Sequence, residues 1–439
     1  MKRCRYFLSL LSVLLGSHLF AQKQEVILQD ATVEQCIQYA MQHQPAVNQS
    51  LIDEKITDKL IKSKLADWLP QLNLTANYQN NFRLPSTKFG NQIITIGAYN
   101  TSYADFALTQ TIFDRDVLLV KRSEGDIRTQ ARQVSTNTKI IVTANVSKAF
   151  FDVLLTIKQI ELLDEDIILL KRTQQDTYNQ YKGGLVDKTD YSRATISLNN
   201  ALARRRTSSE ELKSKYATLK LLMSYPQNES LSLFYDTLKM RTEVFAIDTA
   251  EEVNFDNRIE FQLLQTQKKL QEANLRYYKW GFLPTLSAYG QYNFNYLSNS
   301  FTKLYSDNFP SSFAGLTLTF PIFQGTKRTQ QIRMAELQLN RMDYDFIALK
   351  DSIGAQYTQA IAAYKANLQN FFVQKENLQL ARDVYNIIQL QYRQGIKTYL
   401  DVITANDDLF TAQINYTNAA FQLLINKVDV QLALGTLQY

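Results

Sequence analysis

Histidine and cysteine are almost missing from this chain, with two of each in 439 residues. Cys4 and His18 fall in the first 21 residues, which read as a cleaved leader, so the mature chain keeps only Cys36 and His43. A lone histidine builds neither a metal site nor a Ser-His-Asp relay. A lone cysteine cannot form an intramolecular disulfide. No glycine-rich, phosphate-cradling loop is present either. Asp164-Glu165-Asp166 offers adjacent carboxylates, but neighbouring positions on a helix point apart, so the run reads as a solvated flank. Arg204-Arg205-Arg206 reads the same way. The chain is therefore not read as an enzyme and calls for no cofactor and no metal. The formal net charge is +6, and Lys2, Arg3 and Arg5 of the leader supply half of it. A mature chain this weakly basic gives no reason to expect nucleic acid as a partner.

The leader, residues 1–21, has a basic start, an apolar run from Tyr6 to Leu15 and a small residue at Ala21. It is a secretory signal, too short to span a bilayer as a helix. Cys4 lies too early to carry a lipid, so no lipid anchor is expected.

Proline is absent over a further long stretch, and that absence organises the chain. Before Tyr392-Arg393-Gln394-Gly395 runs a proline-free, glycine-poor segment of about 67 residues. As a helix it would be about 100 Å long. A second helical stretch of about 40 residues follows the break. Helices this long cannot share a compact globule, so they must form an antiparallel coiled-coil hairpin with the glycine segment at its tip.

The same arrangement occurs earlier. Tyr181-Lys182-Gly183-Gly184, Asp190 and Ala194 reappear as Tyr392-Arg393-Gln394-Gly395, Asp401 and Ala405, each 211 positions on (392 − 181). Trp68-Leu69-Pro70 answers Phe282-Leu283-Pro284, and Ile112-Phe113 answers Ile322-Phe323. A unit of about 210 residues is duplicated. The division expected is a signal peptide over 1–21, a first repeat over 22–224, a joining segment over 225–256 and a second repeat over 257–439. Each repeat opens with a helix, over 31–66 and 257–280, that runs into Leu-Pro.

After each Leu-Pro the period changes from 3.6 to 2. Leu72, Leu74, Ala76 and Tyr78 alternate with Asn73, Thr75 and Asn77; Leu286, Ala288, Gly290 and Tyr292 alternate with Ser287, Gln291 and Asn293, with Tyr289 the exception. Second strands are predicted over 103–112 and 313–320, each after a loop of about 15–20 residues. Strands of about ten residues with one apolar and one Asn/Gln/Thr-rich face have the pattern of a transmembrane β-barrel. Asn73, Asn77, Asn293, Asn295 and Thr317 should then face a lumen, and Leu72, Leu74, Leu286, Tyr292 and Leu318 lipid. Four strands cannot close a barrel, so several chains must build one. Along the helix after Phe113, Val153, Ile157, Ile160, Leu163, Ile167 and Leu170 step close to a heptad seam.

Signal peptide, helix, Leu-Pro, strand pair, long helix, Tyr-x-x-Gly-(x)5-Asp tip and returning helix, given twice, resemble the TolC family of outer-membrane efflux proteins. The most specific pieces are Phe320-Pro321-Ile322-Phe323-Gln324-Gly325 and Tyr392-Arg393-Gln394-Gly395. The resemblance covers nearly the whole mature chain. It implies a mainly α chain with a membrane β-barrel portion: a homotrimer whose 12-stranded barrel in outer-membrane lipid continues into a periplasmic tube of 12 helices. It also implies partners, a periplasmic adaptor and through it an inner-membrane pump, and passage of substrates to the exterior. A gate at the hairpin tips is implied too. Asp190 matches the tip aspartate of the first repeat, Tyr392 the tyrosine of the second, Lys397 a basic residue usually arginine, and Asp401 an acidic ring. A second acidic ring would fall at Thr404, where this chain departs from the pattern. A plainer reading stays open: Gly183, Gly184 and Gly395 turn the chain, and Asp190 and Asp401 cap the returning helices. The other function class is a periplasmic coiled-coil scaffold that conducts nothing.

Overall fold

The computed structural model describes residues 28–235 and 253–439. The leader over 1–21 and part of the joining segment lie outside the described residues. Two helices dominate, α3 (Arg115–Lys182, 68 residues) and α6 (Lys327–Arg393, 67 residues). Each would be about 100 Å long at ~1.5 Å per residue. Each turns at a tip into a 36-residue return, α4 (Lys188–Met223) and α7 (Tyr399–Leu434). The heptad reading of α3 holds toward its tip, where Ile167 and Leu170 pack with Ala201 of α4.

The opening helix predicted over 31–66 is two helices, α1 (Val33–His43) and α2 (Pro45–Leu65). Pro45 forces its predecessor out of helical backbone, and Gln44 has ψ 120 as the cap of both helices. The second repeat opens with α5 (Ile259–Lys279). The short helices stack end to end on the returning ones. Gln44, just before α2, donates from Nε2 to the Leu222 carbonyl near the end of α4 (3.1 Å) and accepts from the Ser224 hydroxyl (3.2 Å). At the corresponding join, Arg258 donates to the Ala433 carbonyl (2.8 Å), and Gly435 lies so near Asn257 that a Cβ would come within 2.6 Å of its carbonyl oxygen. Any side chain there would force the stacked helices apart. The columns α4–α2 and α7–α5 flank α3, and α6 lies beyond α7–α5.

The strand layer repeats that order. β1 (Gln71–Asn80), β4 (Asn100–Phe113), β5 (Thr285–Ser298) and β6 (Ser311–Thr319) form one antiparallel sheet, β1-β4-β5-β6. The register carries the alternation across all four strands. Leu74 opposes Phe106, which opposes Tyr292; Leu286 opposes Leu318. Asn73, Ala107 and Gln291 share the opposite face, and Asn293 sits beside Asp105. Tyr289, the break in the alternation, lies over Gly315 of β6, where no side chain competes for the space. Between β1 and β4 the predicted loop contains a further hairpin, β2 (Ser86–Phe89) and β3 (Gln92–Thr95).

The largest core lies away from both ends. It joins Cys36, Tyr39 and Ala40 of α1, Val142–Leu154 of α3, Leu219 and Met223 of α4, Tyr364 and Phe371 of α6, and much of α7. The chain before α1 is tied in by Ala31, which donates to the Ser232 carbonyl (2.9 Å) and accepts from Phe234 (3.0 Å). Cys36 is sealed inside, and burial pushes its thiol up to about 12, leaving it uncharged and unreactive.

Candidate functional site: the hairpin tips and the seam between them

Both tips share one backbone turn. Leu185 N–H donates to the Gln180 carbonyl (2.9 Å) and Gly184 N–H to Tyr181 (3.0 Å); Ile396 and Gly395 repeat these bonds to Gln391 and Tyr392 (both 2.9 Å). This is a Schellman ending, which needs one left-handed residue. Gly184 (φ +71) and Gly395 (φ +76) provide it. Gly183 does not: its φ is −81, and Gln394 occupies the same position in the second tip. The turn thus requires glycine at two of the three predicted positions.

The returning helices are capped differently. In the first, Asp187 is the N-cap and accepts from Thr189 N–H (2.7 Å), so Asp190 stands inside the first turn. In the second, Thr398 and Asp401 form a capping box: Thr398 N–H donates to the Asp401 carboxylate (2.9 Å) and Asp401 N–H to the Thr398 hydroxyl (3.4 Å). Bonds to the Asp401 carboxylate from the Thr398 N–H and from the Thr398 hydroxyl (2.8 Å), with Lys397 assisting, hold that carboxyl below its ordinary range. Bonds from Thr189 lower Asp187 in the same way. The carboxylate paired with Lys397 is that of Asp401 in its own tip, 4.0 Å away.

The second hairpin is seated on the first. The Tyr392 hydroxyl of α6 donates to Gln180 Oε1 of α3 (3.2 Å). Tyr399, which opens α7, is only 4% exposed. Its ring lies 6.2 Å from that of Tyr392, and its hydroxyl meets the neighbourhood of Thr177 and Asp190. Burial pushes that hydroxyl up to about 12, with the Asp190 charge adding to the rise and Thr177 opposing it. It has no hydrogen-bond partner among the described residues, and the Thr177 hydroxyl near it donates to the Thr173 carbonyl (2.7 Å). The Asp190 charge is therefore felt at the second tip, at the Tyr399 hydroxyl. In the first tip Tyr181 stays within its own hairpin, stacked 6.4 Å from Tyr191.

Behind the tips a polar seam continues between α3 and α7. Asn406 donates to Asp166 (3.0 Å), Gln159 donates to Asn418 (2.7 Å), and Lys148 pairs with Asp429. Lys148, Gln159, Asp166 and Thr177 recur at steps of 11, 7 and 11, which keep one face of a straight helix. Asp166 is thus not on a solvated flank. Burial raises its carboxyl, Asn406 and Arg204 oppose the rise, and Asp407 adds to it. Asp164 does lie outside, paired with Arg205 of α4 (2.5 Å). Tyr399 and Gln180 went unnoticed in the sequence, and Asp166 was placed on the wrong face. The available signal was the broken repeat: Tyr399 corresponds to Lys188, an aromatic where its counterpart is charged. No group of acids, histidines and cysteines suited to a metal ion occurs among the described residues.

Solved outer-membrane channels have this fold. The Campylobacter jejuni CmeC channel matches with a TM-score of 0.73 at 15% identity, covering 92% of this chain and 85% of that one. The Neisseria gonorrhoeae MtrE channel in its open state gives 0.70 at 16%, covering 92% and 88%. The fold is that of an outer-membrane channel subunit. In sequence, the profile of the outer membrane efflux protein family matches residues 36–224 and 256–436, and the chain belongs to that family. Outer membrane protein TolC of Escherichia coli (strain K12) is 25% identical and that of Salmonella enteritidis 26%, each over 98% of this chain and 86% of the relative. Membership places the chain in the outer membrane, with its large helical part in the periplasm.

Proposed function

We propose that three copies of this chain close into one passive duct, with a barrel of 12 strands in the outer membrane and a tube of 12 helices in the periplasm. The observation that carries this reading is that both layers are laid out in the same order and are open at both ends. β1 and β6 have no strand partner on their outer sides among the described residues, and unpaired backbone cannot face lipid. In the helical layer, Ile52, Ile56 and Leu60 form an exposed stripe on α2. Leu337, Tyr344 and Ile347 expose another on α6, the far column. A ring joins β6 to the next β1 and α6 to the next α4–α2 column, covering both. A water-soluble scaffold has no use for the exposed Leu72, Leu74, Leu316 and Leu318.

In this duct Asn73, Asn77, Asn293 and Asn295 line a wet lumen, and the leucine face meets lipid. The tips form the entrance, and Tyr392 on Gln180, with the buried Tyr399 ring next to it, holds it shut. Asp401 lines it, steadied by Lys397 and Thr398. A periplasmic adaptor releases the tips and an inner-membrane pump supplies the substrate; the duct itself performs no chemistry. Native mass measurement of the detergent-extracted outer-membrane protein should give three chains. A stable monomer that still inserts into bilayers would overturn the reading.

A further inference from the structure

The far ends of the two strand pairs differ. Between β5 and β6 the chain makes a short loop with one helical turn, Phe301–Lys303. Between β1 and β4 it builds the β2–β3 hairpin around the two-residue turn Gly90-Asn91. This hairpin is a fixed extension of the sheet. Ile96 N–H donates to the Pro85 carbonyl (3.0 Å), Asn81 N–H to Tyr99 (2.6 Å) and Asn81 Nδ2 to Ala98 (2.9 Å). At its base the buried Asn100 side chain accepts from the Tyr78 hydroxyl (2.8 Å) and Asn80 Nδ2 (2.7 Å). Alternation along the hairpin sorts Phe89, Ile94 and Ile96 onto one face, 76%, 43% and 55% exposed. An apolar face held this rigidly in water marks a docking surface.

The strand order says what stands beside it. β1 is one edge of the sheet and β6 the other. In a closed ring β6 of one copy meets β1 of the next, so the loop before β6 comes up against the hairpin after β1. That loop exposes Tyr305 and Phe309 and carries Asp307. The hairpin segment carries Arg83, and neither of these two charges has an ion-pair partner among the described residues.

We infer that the β2–β3 hairpin is a clasp for a second copy of this chain: Phe89, Ile94 and Ile96 pack on the Tyr305–Phe309 loop of the neighbouring copy, with Arg83 facing Asp307. The inference rests on the three-copy reading above. It adds a side-chain interface to the strand pairing and fixes the outer rim of the duct.

Cysteines at Ile94→Cys and Phe309→Cys, introduced together and oxidised mildly in isolated outer membranes, test it. The double variant should give covalently linked trimers on non-reducing gels and neither single variant should, since Cys36 is buried. Independently, Asp307→Lys should lower the temperature at which the trimer dissociates on a gel. Adding Arg83→Asp should bring that temperature back toward wild type. Absence of both the link and the shift, with native mass still showing three chains, would overturn the clasp alone. A native mass other than three chains would overturn the three-copy reading and the clasp with it.

Discussion

The two tips have the same backbone and different commitments. Their turn bonds match within 0.1 Å, with the left-handed glycine at the same place in each. The first tip spends its aromatics inward: Tyr191 lies against Tyr178 and Tyr181 of its own hairpin. The second spends Tyr392 and Tyr399 outward, on Gln180 and the neighbourhood of Thr177. A duplication delivers two identical turns, but within one chain only one face of the second hairpin meets the first. Backbone needs are therefore shared by both tips, and docking side chains appear in one.

The largest effect should come from the docked ring. Tyr399→Ala empties a buried aromatic site and should cost about 3 kcal/mol of local stability, read as faster amide exchange at both tips. Lys188→Ala, its counterpart, should stay within about 0.5 kcal/mol. Equal effects would erase the difference between the tips.

The glycines test the shared part. Gly184→Ala and Gly395→Ala should each cost about 1–2 kcal/mol, because left-handed backbone crowds a Cβ. Gly183→Ala should gain about 0.4–1 kcal/mol, since its φ of −81 suits any residue. Thermal melts of the three variants check this, and a loss at Gly183 would contradict the turn assignment.

Acid should separate tips from seam. Asp187 and Asp401 are held below their ordinary range, so their stabilisation is full above that range and is lost as pH falls through the lowered values. Asp166 and Asp407 are raised, chiefly by burial, so their charged forms burden the fold, and that burden lifts as pH falls through the raised values. Mild acid should therefore slow exchange along the α3–α7 seam before stronger acid, below about pH 4, frees the caps. Asp166→Asn should remove much of the first change, leaving only the Asp407 part. Loss of protection at the seam in mild acid would reverse the sign.

A modest effect belongs to Tyr392→Phe, which removes one partly exposed hydrogen bond. It should cost about 0.5–1.5 kcal/mol, measured as exchange at Gln180 and its neighbours.

Periodicity made the large features legible. The helix ends near Lys182, Met223 and Arg393 and the strand starts at Gln71 and Thr285 coincide with breaks in pattern, because long elements repeat their signal many times. The β2–β3 hairpin was hidden because each strand has only four residues, too few for alternation to show, although Gly90-Asn91 just ahead of Gln92-Ile93-Ile94-Thr95 was its trace. At the tips, the repeated Tyr, Gly and Asp marked the turn, which is a local property. What Tyr399 and Asp166 touch is set by which stripe of a helix meets the other hairpin, and a single helical period does not contain that.

The central claim, that side chains of the second tip hold the duct entrance shut against the first, is tested most directly by single-channel recording in planar bilayers. The comparison is between the wild-type chain and a variant carrying Asp190→Ala, Tyr392→Phe and Tyr399→Ala, each shown by native mass to be trimeric. The account predicts several-fold higher conductance for the variant. Unchanged conductance in an intact trimer would contradict it, leaving Tyr392 and Tyr399 as packing at the ends of long helices.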